Sequence, residues 1–302
     1  MIEMTGVSKD YGPVRALHDI DLRVAAGEVT CVLGDNGAGK STLIKIMSGL
    51  HPHTSGDFRV AGESRVFASP REALALGIAT VYQDLAVVPL MEVWRNFFLG
   101  AELTGRSDRR NVSPPRDGSS PRNASFLRDG SSPRNASSLR DGSSLRDGSS
   151  PRDGFGRRLG FGLRIREMRG IVARELRSMG IDADVDRPIG TLSGGQRQCV
   201  AIARAVYFGA RILILDEPTA ALGVKQSALV LRRIAAARDE GLAVLLITHS
   251  PQHALLVGDH FIVLKLGAVA LDARRGEVTL EELTAQMAGG SELDTLSAEL
   301  GR

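Results

Sequence analysis

Two cysteines in 302 residues, Cys31 and Cys199, are all the thiol chemistry this chain has. They stand far apart in apolar settings with no metal-ligand spacing, so buried, reduced thiols and a reducing cytoplasm are the expectation. Long apolar runs are lacking as well. No stretch approaches the roughly 18 to 20 apolar residues of a membrane span, and the start, "MIEMTGVSKDYG", has no basic region followed by an apolar run. The chain is expected neither to span a membrane nor to be exported. A general excess of one charge sign is missing too. Residues 103–160 hold 12 Arg against 6 Asp, an excess larger than the whole chain's net +3, so the remainder is acidic by about three and no basic nucleic-acid surface is expected there.

What is present is a globular composition: 43% hydrophobic and 24% charged residues, enough for a sizeable core in one or two domains. The exception is the segment 103–157, where "RDGSSPRNASFL" is followed by the near-copy "RDGSSPRNASSL" and by shorter "RDGSSL" and "RDGSSP" units. Its turn-forming residues and scarcity of apolar side chains cannot offset the backbone entropy of ordering, about 1 to 2 kcal/mol per residue. A disordered insert is expected, with an interaction arm as the alternative. Asn123 and Asn135 lie in Asn-Ala-Ser acceptor patterns, which carry no weight without a secretion signal.

Outside the insert, β-branched runs alternate with helical patterns. "EVTCVL" (28–33), "GIATVYQ" (77–83), "RILILD" (211–216) and "AVLLITH" (243–249) read as buried strands. "KSTLIKIMSGL", "RIREMRGIVARELRSMGI" and "VKQSALVLRRIAAARDEG" read as helices, and the alternation predicts an α/β sheet with flanking helices. Between Leu90 and Leu103 the spacing puts Leu90, Trp94, Phe97, Phe98 and Ala101 on one helical face, expected to pack in the core. Thr279 and Glu282 form a capping-box pattern before a last helix, "LEELTAQMAG".

"GDNGAGKST" matches the P-loop pattern, with Gly34, Asn36, Gly37, Gly39, Lys40, Ser41 and Thr42 between a buried strand and an amphipathic helix. Backbone N–H groups and the positive helix end there surround a phosphate, Lys40 holds the β- and γ-phosphates and Ser41 places its hydroxyl on Mg²⁺. "RILILDEP" delivers Asp216 and Glu217 at a strand end, Asp216 for Mg²⁺ and Glu217 to orient or deprotonate the attacking water. Much later, "TLSGGQRQ" opens another helix. Ser193 caps it, while Gly194 and Gly195 let the backbone approach an anion. Two phosphate cradles with one carboxylate set imply either a second ligand or a site shared between two chains.

"LSGGQ" followed by "LILDEPTAAL" resembles the ATP-binding cassette family, over residues 2–289 apart from the insert. The resemblance implies a P-loop cassette with a RecA-like core sheet, an N-terminal antiparallel β subdomain and a helical signature subdomain at about 84–102 and 158–198. One such domain would cover 1–289, with a tail at 290–302. It also implies that Ser193, Gly194, Gly195 and Gln196 contact the γ-phosphate of ATP held by a second cassette, most simply in a homodimer. Tyr11 is similar to the family's adenine-stacking aromatic, Gln83 to the glutamine that senses Mg²⁺ or the attacking water, and His249 to the switch histidine. Gly223 in "ALGVKQ" departs from the Asp many cassettes carry in a loop that crosses the dimer interface. "VYQDLAVVPLMEVWRNFFLG" and "EPTAALGVKQ" most resemble ATPase subunits of bacterial monosaccharide importers of the single-cassette, fructose or ribose type. This implies membrane permease subunits, an indirect sugar-binding protein and a peripheral place on the cytoplasmic face of the membrane. The alternatives are a non-transport cassette acting on nucleic acid or ribosomes, and a regulatory cassette that hydrolyses little; Glu217 and His249 argue against the latter.

Overall fold

The computed structural model describes residues 1–104 and 163–288. The repeats, Asn123, Asn135 and the tail at 290–302 lie outside the described residues. The chain opens with strands β1 (Ile2–Tyr11), β2 (Val14–Val24) and β3 (Glu28–Leu33), then helix α1 (Lys40–Met47), β4 (Ser55–Val60), β5 (Glu63–Ser64), α2 (Pro70–Ala75), β6 (Ile78–Val81) and α3 (Val93–Phe98). Next come α4 (Ile165–Ser178), α5 (Gly194–Tyr207), β7 (Ile212–Asp216), α6 (Val224–Asp239) and β8 (Ala243–Ile247). The remainder is α7 (Pro251–Val257), β9 (His260–Lys265), β10 (Ala268–Arg274) and α8 (Leu280–Ala288).

Two sheets result. One has four strands in the order β2-β1-β4-β5, all pairs antiparallel. The other has six, in the order β10-β9-β3-β8-β7-β6, parallel except for the antiparallel edge strand β10. Side chains alternate across the six-stranded sheet and both faces are buried, which is why its strands read as unbroken apolar runs. Val29, Cys31 and Leu33, with Leu213, Leu215, Val244, Leu246, Phe261 and Val263, face a core shared with α3 to α8. Val32, Ile212, Ile214, Leu245, Ile247, Ile262 and Leu264 face the opposite way, against the antiparallel sheet and the Leu43, Ile44 and Met47 side chains of α1. Each such fully buried aliphatic side chain contributes on the order of 1.5 to 3 kcal/mol.

The helix expected from Leu90 to Leu103 is shorter. Trp94, Phe97 and Phe98 are buried as expected, but Leu90 is 89% exposed and Ala101 is exposed, and the helix spans only Val93–Phe98. Asn96 explains the late start. Its buried amide accepts from the Val88 N–H at 2.8 Å and donates to the carbonyls of Val88, Met91 and Glu92, so residues 88–92 are held as a loop. Leu103, assigned to the insert by composition, is buried, and Thr104 forms an antiparallel bridge with Leu163. The capping box before α8 is formed: Thr279 N–H donates to Glu282 Oε2 at 2.8 Å and Glu282 N–H to Thr279 Oγ1 at 3.2 Å.

Candidate nucleotide site

Four neighbouring strands, β6, β7, β8 and β3, run parallel, so their carboxyl ends share one edge of the sheet. Val32 and Asp216 are both level with Ile247, and Leu215 with Val81. The P-loop follows β3, Asp216 ends β7, Glu217 comes next, His249 lies two residues past β8, and Gln83 two residues past β6 in an exposed bend. Three strand spacings separate β3 from β6, about 14 Å. Such an edge of an open α/β sheet is where ligands bind.

The P-loop is wedged against the strands below it. A Cβ on Gly34 would lie 2.4 Å from the Leu264 carbonyl oxygen, and one on Gly39 would lie 2.7 Å from Leu17 Cδ2, so neither position admits a side chain. Gly39 caps α1 in the left-handed region at φ 105°. Asn36 and Gly37 form the exposed tip, Ser41 is exposed in the first turn of α1, and Thr42 is half-buried. Lys40 folds back under the loop, where its buried Nζ donates to the carbonyls of Gly34 at 2.7 Å and Asp35 at 2.9 Å.

The charges here are interdependent. Burial lowers the Lys40 pKa, and Glu217, Asp35 and Asp216 oppose the drop. Burial raises the Asp216 carboxyl above its ordinary value, the Glu217 charge raises it further, and Lys40 only partly compensates. A carboxylate whose folded pKa is raised destabilises the fold above that pKa and is neutral in effect below the unfolded pKa. Asp216→Asn is therefore expected to raise the melting temperature of nucleotide-free protein at pH 7, by a degree or two on the order of small charge effects. The gain should shrink as pH falls through the raised folded pKa and be gone below the unfolded carboxylate pKa, which calorimetry at pH 7 and near pH 3 would test.

Glu217 sits in the left-handed region at φ 48°, rare for a residue with a side chain, and its N–H donates to the Ile247 carbonyl at 2.9 Å. The turn aims its carboxylate at His249, whose Nδ1 lies 2.8 Å from Glu217 Oε2. That juxtaposition of carboxylate, imidazole, lysine and second carboxylate can bind an anionic group and take a proton from water beside it.

The signature helix is built apart from this cluster. Ser193 caps α5 reciprocally: its Oγ accepts from Gln196 N–H at 3.3 Å, and Gln196 Oε1 accepts from Ser193 N–H at 3.0 Å. Gly195 has an intrachain reason beyond approach to an anion, whereas at Gly194 only the tip of the Leu222 side chain would have to turn aside. A Cβ on Gly194 would lie 2.7 Å from Leu222 Cδ2, and one on Gly195 would lie 2.9 Å from Gln226 Cβ and 3.1 Å from the Gln226 carbonyl. Among the described residues no hydrogen bond joins residues 193–196 to 34–42. Tyr11 makes its contacts elsewhere: its hydroxyl lies 2.6 Å from His51 Nδ1, beyond the C-terminal end of α1, and Lys9 Nζ lies 4.9 Å from its ring centroid. Thr219 and Gln226 lie inside the quoted "EPTAALGVKQ" run but were given no role, and His253 had no motif to mark it; only its place just after "AVLLITH" was a signal.

A phosphate loop at a strand-to-helix turn, with an acidic strand end two strands away, defines a P-loop nucleotide-binding protein. Residues 17–220 match the family described as ABC transporter. A xylose/arabinose import ATP-binding protein of Sulfolobus acidocaldarius is 34% identical over 95% of this chain and 93% of its own. A fructose import ATP-binding protein of Rhizobium meliloti is 35% identical over the same shares, 95% and 93%. In fold, a bacterial ABC transporter cassette solved as a dimer superposes with a TM-score of 0.62 at 22% identity, covering 92% of this chain and all of that one. The chain belongs to the ABC transporter family, and it is an ATP-binding, ATP-hydrolysing cassette of that family.

Proposed function

We propose that two copies of this chain hold ATP between the P-loop of one and the Ser193–Gln196 turn of the other, close on it, and drive a membrane permease for monosaccharides. The observation that carries the catalytic part is the 2.8 Å contact of His249 with Glu217 beside Lys40 and Asp216. Lys40 and the P-loop N–H groups hold the β- and γ-phosphates; Tyr11 stacks on adenine once its contact with His51 yields. Glu217 takes the proton of the attacking water, and His249 holds that carboxylate and the γ-phosphate in register.

Mg²⁺ suits the oxygen donors of Ser41, Asp216 and Gln83, and it would neutralise the strained pairing of the Asp216 and Glu217 charges. Among the described residues no group of three or more His, Cys, Asp or Glu could hold a metal ion. The part of Mg²⁺ would be to offset charge on the transferred phosphoryl group.

A single cassette domain over 1–289, with its helical part at 84–102 and 158–198, would dock the permease through that helical part. Among the described residues no helix is long and apolar enough to cross a membrane. The import relatives support a peripheral place on the cytoplasmic face. The sugar reading is supported by the import relatives; the nucleic-acid or ribosome alternative finds no support among them. Co-expression with a neighbouring permease and a periplasmic sugar-binding protein is expected to give sugar-stimulated ATP hydrolysis. Hydrolysis that ignores every monosaccharide tested would count against import.

A further inference from the structure

Two hydrogen-bonded rungs join the segment after β7 to the segment after β8. The inner one is Glu217 to His249, 2.8 Å. The outer one is Thr219 Oγ1 to His253 Nδ1, 2.9 Å, with Thr219 only 6% exposed. His253 is anchored on its own side, since its N–H donates to Ser250 Oγ at 3.3 Å, the cap of α7, and Ser250 N–H donates to Thr248 Oγ1 at 3.1 Å. The two rungs close a ring through the backbone: Glu217, His249, Ser250, His253, Thr219 and back through Pro218.

The rungs differ in what they meet. Glu217 and His249 belong to the site that receives nucleotide, so the inner rung is committed to the catalytic chemistry there. The outer rung lies beyond them and leads onward. Leu222 N–H donates to the Thr219 carbonyl at 3.3 Å, Leu222 Cδ2 fills the space beside Gly194, and Gln226 packs on Gly195, with its Oε1 3.4 Å from the Gly195 N–H. An unbroken set of contacts thus runs from α7 through Thr219 to the first turn of the signature helix. Gly223 has no side chain to contribute, and a Cβ there would meet nothing within 4 Å.

We infer that His253 is a positioning residue acting through Thr219: it fixes the spacing between the segment that meets the chain's own nucleotide and the turn offered to the partner's. This rests on the shared-site reading above. Breaking the outer rung leaves both binding faces intact but lets them move independently, so it should lower the rate and the cooperativity of hydrolysis without weakening ATP binding.

The test is a double-mutant cycle on full-length protein, with wild type, Thr219→Ala, His253→Ala, the double variant and Thr219→Ser. Loss of one hydrogen bond predicts a fall in kcat of roughly three- to tenfold in each single alanine variant, no further fall in the double, and KM for ATP within about twofold. The Hill coefficient for ATP should drop toward one, and Thr219→Ser should restore both rate and cooperativity. Additive losses, a rise in KM alone, or a lowered kcat with cooperativity unchanged would each overturn the inference. Amide exchange on nucleotide-free protein separates this from the functional reading. His253→Ala should speed exchange several-fold at Leu222 and Gln196 but not at Ala254 in α7 or at Gly258, its C-cap. Equal exchange at Leu222 and Gln196 overturns the outer rung even if wild type turns over no ATP, whereas silent wild-type enzyme with the expected exchange pattern overturns only the shared-site reading.

Discussion

Glu217→Gln is expected to cut steady-state ATP hydrolysis by at least about a hundredfold and leave a long-lived ATP-bound dimer. The two side chains have nearly the same shape, so the amide can keep the hydrogen bond to His249, now 2.8 Å from Oε2, and the strand-end turn at φ 48° is undisturbed. What is lost is the ability to accept a proton. Lys40 also loses one of the charges that hold up its pKa, but Asp35, Asp216 and the two carbonyl acceptors remain, so ATP should still bind. Phosphate release and size-exclusion chromatography in ATP measure the two halves of the expectation. Turnover equal to wild type would remove Glu217 from the role given to it.

A second large effect is expected from Gly195→Ala. Alanine is the better helix former by up to about 1 kcal/mol in a helix interior, and less in a first turn. Against this, its Cβ would lie 2.9 Å from Gln226 Cβ, 3.1 Å from the Gln226 carbonyl and 3.2 Å from its Cα. Two of those atoms are backbone, so α6 and α5 must separate rather than one side chain turn aside. A displacement near 1 Å at a reacting geometry costs on the order of a hundredfold in rate. Because this turn serves the partner's nucleotide in the shared-site reading, the loss should appear in kcat and in ATP-driven dimerisation, while monomer affinity for ATP stays within about twofold. Ser193→Ala, which removes the reciprocal cap with Gln196, should move the same quantities less. If either variant abolished ATP binding by the monomer, the shared site would be wrong.

Legibility in the sequence followed burial. β3, β7 and β8 are covered on both faces, so their side chains are apolar without a break and their limits could be read almost to the residue. The antiparallel pair β1 and β2 has one wetted face, and register shifts interrupt its alternation, so only the family resemblance pointed to it. The apolar stripe across 90–103 misled because periodicity sees residue types and not acceptors: the loop held by the Asn96 amide leaves Leu90 in solvent. At the site, Lys40, Asp216 and Glu217 sit at fixed offsets from strand ends and were legible for that reason, whereas His249 was marked only by the family resemblance. Thr219 with His253 and Gly195 with Gln226 are pairs 34 and 31 residues apart, joined only once α5, α6 and α7 pack. Nothing in a linear pattern marks such a pair.

The two cysteines leave one practical consequence. Cys31 lies under α7 and Cys199 within α5, both fully buried, and burial pushes the Cys199 thiol up to about 12 and the Cys31 thiol higher still. At neutral pH almost none of either thiol is then the reactive thiolate, and both are covered. Maleimide dyes and spin labels should therefore pass the native chain by. A single cysteine placed at the exposed Asn36, or at Val224 with 89% of its surface open, would take the probe alone, so the approach of two copies could be followed by fluorescence without first stripping out the native thiols.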